Sequence, residues 1–100
     1  MFVHTVFFWL NNPDSAADHQ ALRKGLDHLR LIDYIQESYI GTPADTRRDV
    51  IDYSYNLGLT FVFSDKAAQD AYQEHPIHLK FIEDCGHLWQ RVQVYDVVTD

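Results

Sequence analysis

The opening stretch Phe2–Leu10, Phe-Val-His-Thr-Val-Phe-Phe-Trp-Leu, restricts the fold more than any other part of the chain. Its β-branched and aromatic residues favour a strand. Alternation puts Phe2, His4, Val6, Phe8 and Leu10 on one face and Val3, Thr5, Phe7 and Trp9 on the other. Both faces are largely apolar, so a sheet built on this strand needs cover on both sides. A strand is also the better reading than a secretory leader. No basic residue precedes the stretch, and Asn11-Asn12-Pro13-Asp14 follows where a small-residue cleavage site would stand.

The elements after it follow from period and punctuation. Ser15-Ala16-Ala17-Asp18 has the form of a capping box, with aspartate in place of the usual Glu or Gln. It opens a helix to about Leu31, with Leu22, Leu26 and Leu29 on one side. Tyr34–Ile40 reads as a second strand, stopped by Gly41, and Thr42–Asp52 as a polar loop. Tyr53–Phe63 reads as a third strand, with Tyr55, Leu57, Leu59, Phe61 and Phe63 on one face. Ser64-Asp65 caps a short helix, Lys66–Gln73, with Ala67, Ala68, Ala71 and Tyr72 as its candidate buried side. Pro76 suits the first position of another helix, which runs to about Leu88 with Ile77, Phe81, Ile82, Cys85 and Leu88 on its apolar side. Trp89–Val98 alternates as a last strand.

The order β-α-β-β-α-(α)-β is the ferredoxin-like arrangement, a four-stranded antiparallel sheet in the α+β class. Its helices can cover one face of the sheet. The cheapest cover for the other is the same face of a second copy, which predicts a homodimer. At 100 residues the chain forms one domain and buries roughly 60–70% of its unfolded surface, so a partner subunit would add margin.

Charge narrows the partners. The net charge is −7, and the densest basic pair, Arg47-Arg48, is followed at once by Asp49. Nucleic acid binding needs a basic stripe to displace counterions, so neither nucleic acid nor an anionic membrane surface is expected. No apolar run is long enough for a transmembrane helix. Cys85 is the sole cysteine and needs no oxidising compartment, which leaves the cytoplasm as the default. The glycines are scattered rather than grouped into a phosphate loop, and no cofactor is called for.

Groups able to do chemistry concentrate in Tyr72–Phe81, Tyr-Gln-Glu-His-Pro-Ile-His-Leu-Lys-Phe. His78 falls on the first helical turn after Pro76, where the helix dipole favours neutral imidazole. Asp96 lies in the row Val92-Val94-Asp96-Val98 and needs a partner if that row is buried, a histidine N–H being the natural one. Such a carboxylate would fix the tautomer of a base. A purely structural His–Asp bond is the alternative. The Tyr72 hydroxyl could polarise a carbonyl or simply rim the core. His4 reads as a core histidine and His75 as an N-cap or hinge. His75/His78 and Glu83/His87 have ligand-like spacing, but Pro76 keeps His75 outside the helix and no H-E-x-x-H or cysteine cluster accompanies them, so no metal is expected.

Taken together, His4 in the first strand, Arg48-Asp49-Val50-Ile51-Asp52-Tyr53-Ser54-Tyr55, Tyr72 before His75-Pro76-Ile77-His78, and Trp89 through Tyr95-Asp96 carry a resemblance over nearly the whole chain. The sequence resembles the stress-responsive α/β-barrel family, also called dimeric α+β barrel proteins. The resemblance implies a homodimer whose two sheets close into a barrel, with a pocket between sheet and helices. One branch, the plant polyketide cyclases, implies an intramolecular aldol reaction. There His78 would be the general base, Asp96 its orienter, Tyr72 the carbonyl holder and His4 a cavity residue. Trp89, Leu59, Phe81 and Val94 would form the walls. A tyrosine that this branch carries in its first helix is absent here, where Gly25 and Leu26 stand. The functional expectation is a pocket for a small carbonyl-containing or apolar molecule, with or without cyclase-like proton abstraction. A non-catalytic ligand- or protein-binding module and a monooxygenase-like dimeric barrel are the alternatives.

Overall fold

A computed structural model describes residues 1–100. The elements are β1 (Phe2–Leu10), α1 (Ala16–Leu29), β2 (Glu37–Gly41), β3 (Leu57–Phe63), α2 (Lys66–Glu74), α3 (Pro76–Cys85), a single 3₁₀ turn (Gly86–Leu88) and β4 (Trp89–Val98). The strands form one antiparallel sheet in the order β2-β3-β1-β4. This is the ferredoxin-like α+β fold. β1 is central, between β3 and β4, and its inner face forms the middle of the core. Phe2, Val6, Phe8 and Leu10 pack with Leu57, Leu59, Phe61 and Phe63 of β3 under Leu22, Leu26, Leu29, Tyr72 and Phe81 from the helices.

Several expected boundaries shift for local reasons. α1 is capped as expected, the Asp18 N–H donating to Ser15 Oγ over 3.1 Å. It stops at Leu29 rather than Leu31, because the chain tightens through Leu31 N–H to His28 O and Ile32 N–H to Leu29 O. Ile32 thereby takes the buried position and Leu31 faces out. β2 begins at Glu37, since a turn closed by Ile35 N–H to Ile32 O occupies the residues before it. β3 begins at Leu57: Asn56 ends the ladder by accepting the Leu10 N–H on its side chain and donating its own N–H to Phe8 O.

Tyr55 therefore does not continue the inward row of β3. Its ring lies on the opposite face of the sheet, 4.6 Å from that of Phe7. In α2 the buried residues are Gln69 and Tyr72, a helical i, i+3 pair; Ala68 packs against the core as expected, and Ala67 is exposed. α3 ends at Cys85, the 3₁₀ turn carrying Leu88 into the core.

The face of β1 away from the helices is half-buried within the single chain. Tyr55 covers Phe7, the Trp9 indole N–H donates to Ser54 Oγ over 3.0 Å, and the Arg91 guanidinium lies 4.1 Å above the Trp9 ring. Gly58, directly across from Phe7, leaves room for that ring; a β-carbon there would come within 3.1 Å of it. Tyr39, Tyr95 and Val97 remain exposed on the same side.

Candidate functional site

His4, Tyr72 and His78 reach a common cavity of about 190 Å³ between the sheet and the helices. The alternation of β1 turns His4 toward the helices, where it is buried. Antiparallel pairing sets Asp96 of β4 directly beside it. His4 Nδ1 and Asp96 Oδ1 are 2.6 Å apart. An ionised carboxylate only accepts, so the proton sits on Nδ1 and donates to Asp96, leaving the Nε2 lone pair free. No bond within the chain reaches Nε2. The Asp96 side chain keeps 40% of its surface exposed.

Tyr72 projects from α2 into the core, its ring centroid 4.8 Å from that of His78 and 6.0 Å from that of His4. Burial pushes its phenol far above the ordinary value, so it remains a protonated donor. The hydroxyl has no hydrogen-bond partner in the chain, yet it is not among the fully enclosed unpartnered atoms.

His78 is the third residue of α3. Pro76 opens that helix, and the His75 side chain caps it by accepting the Ile77 N–H over 3.0 Å. Nδ1 of His78 is buried without a partner. Burial holds the His78 pKa below its ordinary 6.5; the Gln73 backbone carbonyl opposes this and nearby His4 reinforces it. The helix dipole acts in the same direction as burial. His78 is therefore a neutral imidazole.

The expected pairing of Asp96 with His78 is not formed. β4 lies in the sheet beside β1, so its inward carboxylate meets the β1 histidine, whereas His78 descends from the helix layer. The expected wall residues do come together: Leu59, Phe81, Trp89 and Val94 all line the cavity, with Phe81 stacked on Trp89 at 5.6 Å. Gln73 also lines it and was not expected; it immediately follows Tyr72. Its position in the last turn of α2, next to Tyr72 and just before the bend into α3, is the signal that could have marked it.

A larger groove of about 510 Å³ lies outside, between α1 and α3. Its charged side chains are largely spent on local pairs, Lys80 with Asp84 at 3.0 Å and Asp27 with Arg30 at 2.9 Å. It shares only Phe81 with the inner cavity, which holds the converging titratable groups and is the candidate site. Cys85 is buried and its thiol is pushed up by burial and by Asp84, the state of an unreactive thiol. No three His, Cys, Asp or Glu side chains are arranged to hold a metal ion. No helix is long and apolar enough to cross a membrane.

Fold and cavity together define a ferredoxin-like α+β protein with polar groups gathered under its helices. Residues 2–99 match the Stress responsive A/B Barrel Domain family, Dabb, and the chain belongs to that family. A Dabb family protein with a ferredoxin-like fold from Mesorhizobium loti superposes with a TM-score of 0.80 at 23% identity, over 98% of this chain and 95% of that one. A dimeric ferredoxin-like protein of unknown function from Thermobifida fusca does so with 0.78 at 14% identity, over 98% and 90%. A hydroxynitrile lyase from Passiflora edulis gives 0.79 at 18% identity, over 99% and 93%. At these identities the likeness establishes the fold. No curated protein matches the chain by sequence.

Proposed function

We propose that this chain is a homodimeric, cytoplasmic Dabb protein whose inner cavity binds a small carbonyl compound and moves a proton at the carbon beside the carbonyl. The observation that carries this is the Tyr72 hydroxyl, a donor without a partner in the chain, on a ring that packs edge-on against both His4 and His78 in a largely apolar cavity. Such a donor favours a ligand oxygen, and an imidazole beside it can take the proton. The dimeric description of the Thermobifida fusca neighbour and the exposed outer sheet face support the second copy. The fold shared with the lyase described from Passiflora edulis supports a catalytic reading.

The cavity also bears on substrate size. At about 190 Å³ it is smaller than the roughly 300–1,000 Å³ of ordinary ligand pockets. A polyketide-cyclase-like substrate would have to be short, and a single-ring or branched ketone fits better. The test is NMR titration with benzylacetone, an aromatic methyl ketone, and with butylbenzene, which lacks the carbonyl. Benzylacetone should shift the resonances of Tyr72, His78 and Trp89, and Tyr72→Phe should weaken that ketone but not the hydrocarbon. Titration without change at these residues overturns the reading.

A second reading, ligand binding without turnover, draws on one observation. His78, the base that the family resemblance implies, has no carboxylate beside it and a buried, unpartnered Nδ1. Under this reading benzylacetone binds but its α-hydrogens exchange no faster than in buffer.

A further inference from the structure

We infer that the proton acceptor of this cavity is His4, set by Asp96, and that His78 stays a neutral neighbour. The inference rests on the proton-moving function proposed above, and it turns on how the two imidazoles are held.

A base must accept a proton on one ring nitrogen while the other gains or keeps a bond that tolerates the positive ring. His4 meets this requirement. Its Nδ1–H already donates to the Asp96 carboxylate at 2.6 Å, so a proton arriving at Nε2 creates an imidazolium beside a formal negative charge. Nε2 has no competing partner in the chain, and the residue lines the cavity. The pair joins neighbouring strands in direct register, which fixes the ring plane without a flexible loop. Asp96 is a positioning residue here, since it acts through His4.

His78 fails the same requirement. The Gln73 backbone carbonyl favours the charged ring, but burial outweighs it, and the buried Nδ1 has no partner in the chain. No carboxylate bonds to the ring. What His78 can do is fill the cavity wall beside Tyr72 and bring one neutral ring nitrogen to a bound ligand.

The step balances within the cavity. His4 Nε2 takes a proton from the carbon next to the ligand carbonyl. The C–H electron pair becomes the new C=C bond and the carbonyl π pair moves to oxygen, giving an enolate that accepts the Tyr72 O–H hydrogen bond. Return of a proton from the His4 imidazolium regenerates the ketone. In D2O the imidazolium N–H exchanges with solvent before reprotonation, so the returned hydrogen is deuterium and the reaction is visible without any other change of substrate.

The experiment follows deuterium uptake by benzylacetone with the intact protein in D2O, beside ¹⁵N NMR of the imidazole nitrogens. The wild type should exchange the α-hydrogens faster than buffer and show His4 locked with its proton on Nδ1. His4→Gln and Asp96→Asn should each lower exchange by on the order of 10²–10⁴-fold, and His78→Gln by less than about tenfold. Asp96→Asn should also release the His4 tautomer preference, a change that a merely stabilising ion pair would not couple to rate. Asp96 is partly exposed, so its variant tests the assignment even if His4→Gln does not fold. Exchange that survives Asp96→Asn with the tautomer lost, or that is abolished by His78→Gln alone, overturns the assignment to His4 and leaves the proton-moving cavity standing. A wild type that exchanges no faster than buffer overturns both.

Discussion

Gly25 of α1 lies so close to Cys85 of α3 that a β-carbon on the glycine would stand 2.6 Å from the cysteine Sγ. The same β-carbon would come within 3.1 Å of the Phe81 ring. The glycine therefore sets the spacing of the two helices, and through Phe81 the position of one cavity wall. Gly25→Ala gains about 1 kcal/mol of helix propensity but overpacks the contact, a strain typically of about 1–3 kcal/mol. The expected result is a loss of up to about 2 kcal/mol in urea unfolding. In a Cys85→Ala background the Sγ clash is gone, and Gly25→Ala should become neutral or mildly stabilising.

Tyr72→Phe separates packing from chemistry. The ring fills the core beside Phe63 and His78, and phenylalanine keeps that contact. The hydroxyl has no partner to lose. Stability should therefore stay within about 0.5 kcal/mol of wild type, or rise slightly. Ketone binding should fall about fivefold to tenfold, the worth of one neutral hydrogen bond. Thermal melts and the benzylacetone titration measure the two effects on the same sample.

Most of the fold was legible because β1, α1, α3 and β4 carry strong periodic signals. Tyr55 was not, because alternation alone cannot see that the Asn56 side chain ends the ladder one residue after it. The cavity residues were legible as a set, and the pairing among them was misjudged. His4 stood in the row Phe2-His4-Val6-Phe8 and Asp96 in the row Val92-Val94-Asp96-Val98. In a ferredoxin-like sheet the first and last strands are antiparallel neighbours, and the observed register, Phe2 with Val98 and Val6 with Val94, leaves His4 opposite Asp96. The topology contained that contact; the family resemblance directed the carboxylate to His78 instead.

The depressed pKa of His78 makes a pH signature. The unfolded chain binds a proton at this residue near 6.5, and the folded chain only at lower pH. As pH falls through 6.5 the unfolded state gains protons first, so stability is lost from there down to the folded pKa and then levels for this group. His78→Gln removes the contribution. Urea unfolding at stepped pH between neutral and mildly acid should give a steeper decline for wild type than for the variant. Parallel curves would show that His78 is solvated rather than held neutral in the cavity.

The outer sheet face carries the last prediction. Tyr95 of β4 lies beside Thr5 in the ladder, touches Phe7 edge-on with ring centroids 6.4 Å apart, and is 60% exposed in the single chain. With Tyr39 and Val97 it extends the half-buried row of Thr5 and Phe7 into an exposed apolar surface, the kind that a self-complementary two-fold contact would cover. A stable interface of this kind buries roughly 800 Å² per partner, and a lysine at its centre would carry an unpaired charge into it. In the monomer the same lysine would remain solvated. The wild type should sediment at twice 11.7 kDa and Tyr95→Lys at the single mass, with helical content retained. A change on the inner face, such as Tyr72→Phe, should leave the dimer intact. If Tyr95→Lys sediments as a dimer, the second copy docks elsewhere and the outer aromatic face is shielded by Tyr55 and Arg91 alone.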